Sequence, residues 1–258
     1  SCTITMATTI TTIKPPRTAD PSPVWARGES HTLTPNPSPR ADERSTGAAM
    51  PRFDYLRDPD EIERQSFAQI RQITDLSRFD PDQQQVAMRL VHTSGDPGIL
   101  QDLHFSPGAV EAGLAALAKS ADVLCDIQMV SHGISKRYLS GQVHCFLNAP
   151  TVAERARQTG ETRSMAAMAE WPAHLAGSIV AIGNAPTALF RLLDLLDEGA
   201  PRPALIIGMP VGFINAAESK QALWDIASSE FRTPCITLLG RRGGSSLAAA
   251  TLNALARM

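Results

Sequence analysis

Ser178-Ile-Val-Ala-Ile182, Ala204-Leu-Ile-Ile207 and Cys235-Ile-Thr-Leu-Leu239 are three short apolar runs rich in β-branched residues. Each is followed by a hinge of small residues: Gly183-Asn184-Ala185-Pro186-Thr187, Gly208-Met209-Pro210-Val211-Gly212, and Gly240-Arg241-Arg242-Gly243-Gly244-Ser245. Each hinge opens into a stretch of helical character, namely Ala188 to Leu196, a segment through Ala217 and Leu223, and an Ala-rich run ending at Leu255. Such alternation indicates βαβ units and a parallel sheet buried on both faces. The expected fold class is therefore α/β, a three-layer α/β/α domain with a mainly parallel sheet and ligand-binding βα loops. Crossovers of one hand put all three hinges on one edge, beyond the carboxyl ends of the strands. Amides at helix N-termini on that edge suit anionic groups. The pattern predicts an anion-binding rim without naming the anion.

The chain has 258 residues, 43% hydrophobic and 19% charged, the composition of an ordinary globular protein. A formal net charge of -2 gives no electrostatic reason to expect nucleic acid or an anionic membrane as partner. No apolar run approaches the ~20 residues that span a bilayer. The four cysteines, Cys2, Cys125, Cys145 and Cys235, show no CxxC spacing. The last three lie in apolar strand-like runs and read as buried free thiols in a reducing cytoplasm.

Residues 1–49 differ from the rest. They are rich in Thr, Ser and Pro (Pro15, Pro16, Pro21, Pro23, Pro35, Pro37, Pro39) and lack an amphipathic period beyond a short Thr/Ile stretch. A segment of this kind buries too little apolar surface to offset its ordering entropy. It lacks the basic start and compact apolar stretch of a secretory signal, while its Thr and Arg content leaves a transit peptide open. The favoured expectation is a disordered or spurious extension, with translation starting at Met50 and residues 50–258 forming a single domain.

Past Met50, Asp58-Pro59-Asp60-Glu61 is a helix start, with Ile62, Phe67, Ile70 and Ile73 on an apolar face. Ser66 lies within this helix, where the plain reading is a serine bonding back to a carbonyl four residues earlier. Asp80-Pro81-Asp82 repeats the start signal for a helix through Val86, Met88, Leu90 and Val91 that ends at Gly95. His92 sits in its last turn, either as a cap complementing the helix dipole or as a general acid. Ser106-Pro107 opens a third helix, Ala121–Cys125 reads as the first strand with Asp126 and Gln128 at its end, and Val143–Leu147 reads as the second. Thr162-Arg163-Ser164 at a helix start combines a guanidinium fork, hydroxyls and free amides, a set that matches carboxylate or phosphate, or else a capping box with a surface arginine. Met165 and Met168 are expected to pack on the sheet. His104, His132, His144 and His174 show no metal-ligand spacing, so no metal site is expected.

Several nucleotide and hydrolase motifs are missing. The run Gly240–Ser245 does not have the order of a phosphate-binding P-loop, and no complete G-x-G-x-x-G fingerprint or G-x-S-x-G elbow occurs. Read from its residues alone, the chain is an α/β protein with a carboxylate- or phosphate-binding rim and an open reaction.

Four blocks resemble the precorrin-8X methylmutase family of corrin-ring biosynthesis. They are Val91-His-Thr-Ser-Gly95, Thr162-Arg-Ser164, Gly177-Ser-Ile-Val-Ala-Ile-Gly-Asn-Ala-Pro-Thr-Ala-Leu189, and Gly208-Met-Pro-Val-Gly-Phe213 with Ala216-Ala-Glu-Ser-Lys220. Gly240–Ser245 and Ala248–Leu255 extend the resemblance, which runs from near Tyr55 to the C-terminus. It implies a cofactor-free isomerase that moves a methyl group from C11 to C12 of precorrin-8X, or of cobalt-precorrin-8, to give hydrogenobyrinic acid in the metal-free case. It assigns His92 as proton donor to a ring nitrogen, and Ser66 and Arg163 as substrate contacts. Thr162, Ser164, Asn184, Gly243, Gly244 and Ser245 complete the expected substrate-binding set, within a wide and mostly hydrophobic cleft. A homodimer with active sites near the subunit interface is implied as well. Two departures stand out: Gln128 where the family pattern has Glu, and Thr93-Ser94 in place of Ala-Cys after the histidine. A non-catalytic corrinoid carrier and a nucleotide-dependent oxidoreductase remain as rival readings.

Overall fold

The computed structural model describes Phe53, residues 55–227 and residues 233–258, so the expectations for residues 1–49, Cys2 included, fall outside the described residues. Two capped helices come first. Helix α1 (Pro59–Ile73) begins where the Asp58 carboxylate accepts from the Glu61 amide at 2.8 Å. Helix α2 (Pro81–Ser94) begins with a capping box, Asp80 accepting from Asp82 and Gln83 amides while the Gln83 side chain returns to the Asp80 amide. The remaining elements are β1 (Leu103–Phe105), α3 (Ala109–Ala118), β2 (Val123–Cys125), α4 (Gln128–Gly133), β3 (Val143–His144), α5 (Pro150–Thr159), α6 (Arg163–Ala167), β4 (Ile179–Ile182), α7 (Pro186–Asp197), β5 (Leu205–Gly208), α8 (Ala216–Ala227), β6 (Cys235–Leu238) and α9 (Ser245–Leu255).

The strands form one sheet in the order β1-β6-β5-β4-β2-β3, parallel except where β1 pairs antiparallel with β6. Strand alternation sorts its side chains onto two cores. Ile179, Ala181, Leu205, Ile207, Ile236 and Leu238 point to the face covered by α2, α3, α4 and α9. Val180, Ile182, Ile206 and Cys235 point to the face covered by α7 and α8, together with Met168, Trp171 and Leu175. Both faces being covered explains why these strands are continuous apolar runs rather than alternating ones. The three-layer α/β/α arrangement is thus present. A smaller cluster of Val152, Ala166 and Ala167 joins α5 to α6, with Phe146 bridging it to the second core.

From β2 the chain passes through α4, on the first face, to the outer strand β3. From β4 it passes through α7, on the second face, the opposite way to β5. Strand order therefore reverses between β2 and β4, and open α/β sheets bind ligands outside the carboxyl ends of strands at such a point.

Four expectations need correction. Ala121–Cys125 is the second strand; β1, Leu-His-Phe at the sheet edge, precedes it. The third helix starts at Ala109 rather than at Ser106-Pro107, because the Ser106 hydroxyl is used to accept from the Cys235 amide at 2.7 Å. The strand expected over Val143–Leu147 has only two residues and turns into a short 3-10 segment at Phe146. Cys125 and Cys235 are buried, but Cys145, past the end of that short strand, is only half-buried.

Candidate active site

The Ser66 hydroxyl lies 2.8 Å from His92 Nδ1, joining the middle of α1 to the last turn of α2. It does not bond back along its own helix. That role falls to Thr93 and Ser94, whose hydroxyls donate to the Arg89 and Leu90 carbonyls at 2.8 and 2.9 Å. The residue after Ser66, Phe67, stacks on the imidazole with centroids 5.5 Å apart and planes within 13°. The ring is thus fixed in plane and azimuth by two neighbours on α1. Serine can donate to or accept from Nδ1, so the pair persists whether the ring is neutral or charged. Nε2 is left as the nitrogen Ser66 does not engage.

His92 opens onto a cleft of about 340 Å³ between α2, the turn after α4, and α9, lined by Arg89, Arg137, Tyr138, Asn253 and Arg257 among others. Three arginines, Arg89, Arg137 and Arg257, give this cleft its charge, while Ala249 and Ala250 supply apolar lining. Glu63 on α1 accepts from Arg257 at 3.1 and 3.3 Å and also binds Arg89. These two guanidiniums, Arg257 first, hold the Glu63 carboxyl below its ordinary range. Further apolar surface is exposed on the loop after β5, where Phe213 and Ile214 are 86% and 80% exposed and Arg241 stacks over the Phe213 ring.

The rim at the strand ends is more self-contained than its sequence suggests. Asp126, at the end of β2 and 3% exposed, accepts from the amides of Gly183, Asn184 and Ala185 at 3.0, 3.0 and 2.8 Å. The amides that sequence alone offers to an anionic ligand at α7 are therefore taken by the chain's own carboxylate. Burial pushes the Asp126 pKa up, against the three amides, which favour the carboxylate. Asn184 contributes its amide to this bond while its side chain is exposed at the crevice where strand order reverses.

Two glycines allow the rim loops to close on each other. A Cβ on Gly183 would stand 2.8 Å from Ser245 Cα, and one on Gly243 would stand 2.3 Å from the Met209 carbonyl. Gly244 then donates to Met209 O at 2.8 Å. Ser245, first residue of α9, is buried beneath this contact, leaving the first turn of α9 facing the edge. Behind the loop, the wholly buried Lys220 donates to the Arg242 carbonyl, and burial lowers its pKa from 10.5 to about 8. The Arg242 side chain reaches Asp96 at 2.9 Å and Asp102 at 3.2 Å. Asp96 closely follows the end of α2, so this chain of contacts ties the Gly243-Gly244-Ser245 loop to the helix that carries His92.

Thr162, Arg163 and Ser164 lie together at the start of α6. Thr162 caps it, accepting from the Met165 amide at 3.2 Å, and its hydroxyl meets that of Thr187 at 3.0 Å, which places the set beside the β4 loop. Arg163 donates to Leu147 O and Asn148 Oδ1 at 3.0 and 3.2 Å, both neutral acceptors, and among the described residues no carboxylate pairs with it. Ser164 is half-buried. Among the described residues no contact joins this set to Ser66 and His92. Met168 is buried in the second core; Met165 is only half-buried. Among the described residues no cluster of three His, Cys, Asp or Glu could hold a metal, and no helix is long and apolar enough to cross a membrane.

The family model described as CbiC, precorrin-8X methylmutase, matches residues 61–258. The chain belongs to the precorrin-8X methylmutase family. A precorrin-8X methylmutase from Pseudomonas aeruginosa is 50% identical over 206 residues, covering 79% of this chain and 98% of that one. A cobalt-precorrin-8 methylmutase from Priestia megaterium is 36% identical over 200 residues, covering 76% and 87%. A solved precorrin-8X methylmutase from Thermus thermophilus superposes with a TM-score of 0.70 at 39% identity, covering 77% of this chain and 95% of that one.

Within this methylmutase-family chain, sequence reasoning missed Arg89, Arg137, Asn253 and Arg257, which share the cleft with His92. Arg137, Asn253 and Arg257 carry no local signal. Arg89 stands one helical turn before the histidine, and that spacing could have flagged it. Asp126 was visible at the end of its strand, but its partners lie 57 to 59 residues away.

Proposed function

We propose that the chain converts precorrin-8X into hydrogenobyrinic acid, an isomerisation of cobalamin biosynthesis in which the methyl group on C11 of the macrocycle migrates to C12. The bond to C11 breaks as the bond to C12 forms, composition is unchanged, and no cofactor takes part. His92 protonates a pyrrole-type ring nitrogen, which promotes a suprafacial [1,5]-methyl shift and stabilises the conjugated product. The observation that carries this reading is the Ser66–His92 pair opening onto a cationic cleft. A hydroxyl that can either donate or accept lets the imidazole lend and recover a proton without losing its orientation.

Thr162, Arg163, Ser164, Asn184 and the Gly243-Gly244-Ser245 loop orient the acetate and propionate groups around the ring. Each charge-assisted bond contributes roughly 1.5–3 kcal/mol, so several together hold product tightly and make its release slow. The metal-free ring is favoured by the higher identity to proteins named precorrin-8X methylmutase, 50% and 48%, than to the cobalt-precorrin-8 methylmutase from Priestia megaterium, 36%. A homodimer belongs to the same reading and is tested by sedimentation.

The deciding experiment is anaerobic incubation with precorrin-8X, followed by visible spectroscopy, with His92→Ala alongside and cobalt-precorrin-8 as a parallel substrate. Conversion to the hydrogenobyrinic acid spectrum by wild type, with the variant slower by about 10²- to 10⁴-fold, supports both reaction and acid. Wild-type turnover by the variant refutes the acid. An unchanged spectrum with bound ligand in both would make the protein a corrinoid carrier.

A further inference from the structure

We propose that Arg137 is the specificity-determining residue of the His92 cleft, pairing with one free side-chain carboxylate of the corrinoid. This inference rests on the reading of the cleft as the macrocycle site. Three guanidiniums line that cleft, those of Arg89, Arg137 and Arg257. Glu63 binds both Arg89 and Arg257, so one carboxylate offsets half of their joint charge and occupies much of their donor capacity. Arg137 forms no ion pair among the described residues; its contact is the Tyr138 ring, whose centroid lies 4.7 Å from the guanidinium carbon. The cleft therefore holds one guanidinium fork whose donors are free for a ligand, on the turn after α4 that lines it together with His92.

The turn that carries Arg137 is fixed rather than loose. Asn253 on α9 grips it from both sides, Oδ1 accepting from the Ser135 amide at 2.8 Å and Nδ2 donating to the Gly133 carbonyl at 2.9 Å. Tyr138 is flanked by Arg137 and, at 5.8 Å, by Arg257. An arginine held on a stapled turn loses less rotational freedom on binding than a surface arginine at large. Its planar fork matches a carboxylate in two parallel bonds, a geometry that an amide or ester in the same position does not reproduce. Arg137 thus distinguishes an acid side chain from its amidated counterpart at the edge of the ring nearest His92.

The test titrates wild type, Arg137→Ala and Arg137→Lys with hydrogenobyrinic acid and with its side-chain amidated derivative, reading the visible spectrum, and measures kcat and KM for precorrin-8X. Thermal melting checks that the variants fold. The expected result is an affinity for the acid about 10- to 100-fold weaker in Arg137→Ala, with the loss appearing in KM, partial rescue in Arg137→Lys, and little difference among the three proteins toward the amidated ligand. Equal affinity of wild type and Arg137→Ala for the acid overturns the proposal while leaving the methylmutase reading intact. Equal losses toward acid and amide overturn it too, since Arg137 would then act through shape. If folded wild type binds neither ligand, the parent reading fails and takes this one with it.

Discussion

Ser66 and His92, 26 residues apart, meet side chain to side chain, with Oγ 2.8 Å from Nδ1. The contact fixes the imidazole relative to two helices at once, because Ser66 sits on α1 and His92 at the end of α2. Phe67 stacks on the same ring, so α1 supplies both a polar and an apolar constraint. Orientation, rather than burial, is what the neighbours of this histidine provide, since His92 itself is exposed.

Ser66→Ala removes the polar constraint and leaves the stacking. A hydrogen bond of this kind contributes about 0.5–1.5 kcal/mol, which corresponds to a roughly 3- to 10-fold fall in kcat. The melting temperature should hardly move, because neither group is buried in the core. Phe67→Ala would add to the loss by freeing the ring plane. Single-turnover rates of the two variants and their combination measure the coupling; a Ser66→Ala rate equal to wild type would show that the serine does not orient His92.

Asp126→Asn probes the point where strand order reverses. The carboxylate accepts three amides, and an amide side chain offers one oxygen to them and turns an NH₂ toward at least one donor. Leaving a buried donor unmet costs about 1–3 kcal/mol. The variant should therefore be less stable by that amount in urea denaturation, with KM raised because the Asn184 loop loses its anchor. Wild-type stability would mean that the loop holds its conformation without Asp126.

The strands β4, β5 and β6 were legible because burial on both faces writes them as unbroken apolar runs, and α1 and α2 because Asp58-Pro59 and Asp80-Pro81 announce helix starts. Strand β1 was not, since Leu103-His104-Phe105 has no period of its own and becomes a strand by pairing with β6, more than 130 residues further on. The same distance argument applies to the site. Local reading left His92 as either a helix cap or a general acid and Ser66 as a back-bonding serine, and only the family resemblance joined the two in one site. Arg137 and Asn253 come together only when α9 packs against the turn after α4, a tertiary event that no short window of sequence encodes.

Lys220 makes a prediction about stability against pH whose sign can be worked out. Burial lowers its folded pKa from 10.5 to about 8, so the unfolded chain holds this proton more tightly than the folded one. Below pH 8 both states are protonated and the folded state bears the full cost of a desolvated ammonium. Between about pH 8 and 10.5 the folded lysine is already neutral while the unfolded one is still losing its proton, so its contribution to stability rises with pH and then levels off. A gap of about 2.5 pH units at ~1.4 kcal/mol each bounds the gain near 3.5 kcal/mol. Cys125 and Cys235 work the other way, because burial pushes their thiols up and the folded state keeps protons that the unfolded state releases. The clean quantity is therefore the difference between wild type and Lys220→Met, in which the thiols cancel. That difference should move in favour of wild type from pH 8 to 10.5 in urea titrations, and a difference flat across this range would show that Lys220 is not held as a depressed, buried base. A cation kept at such a cost directly beneath the Arg242 carbonyl fits a group that holds the Gly243-Gly244 loop to the helix end bearing His92. Lys220→Met should then raise KM as well, even at a pH where it leaves the protein at least as stable as wild type.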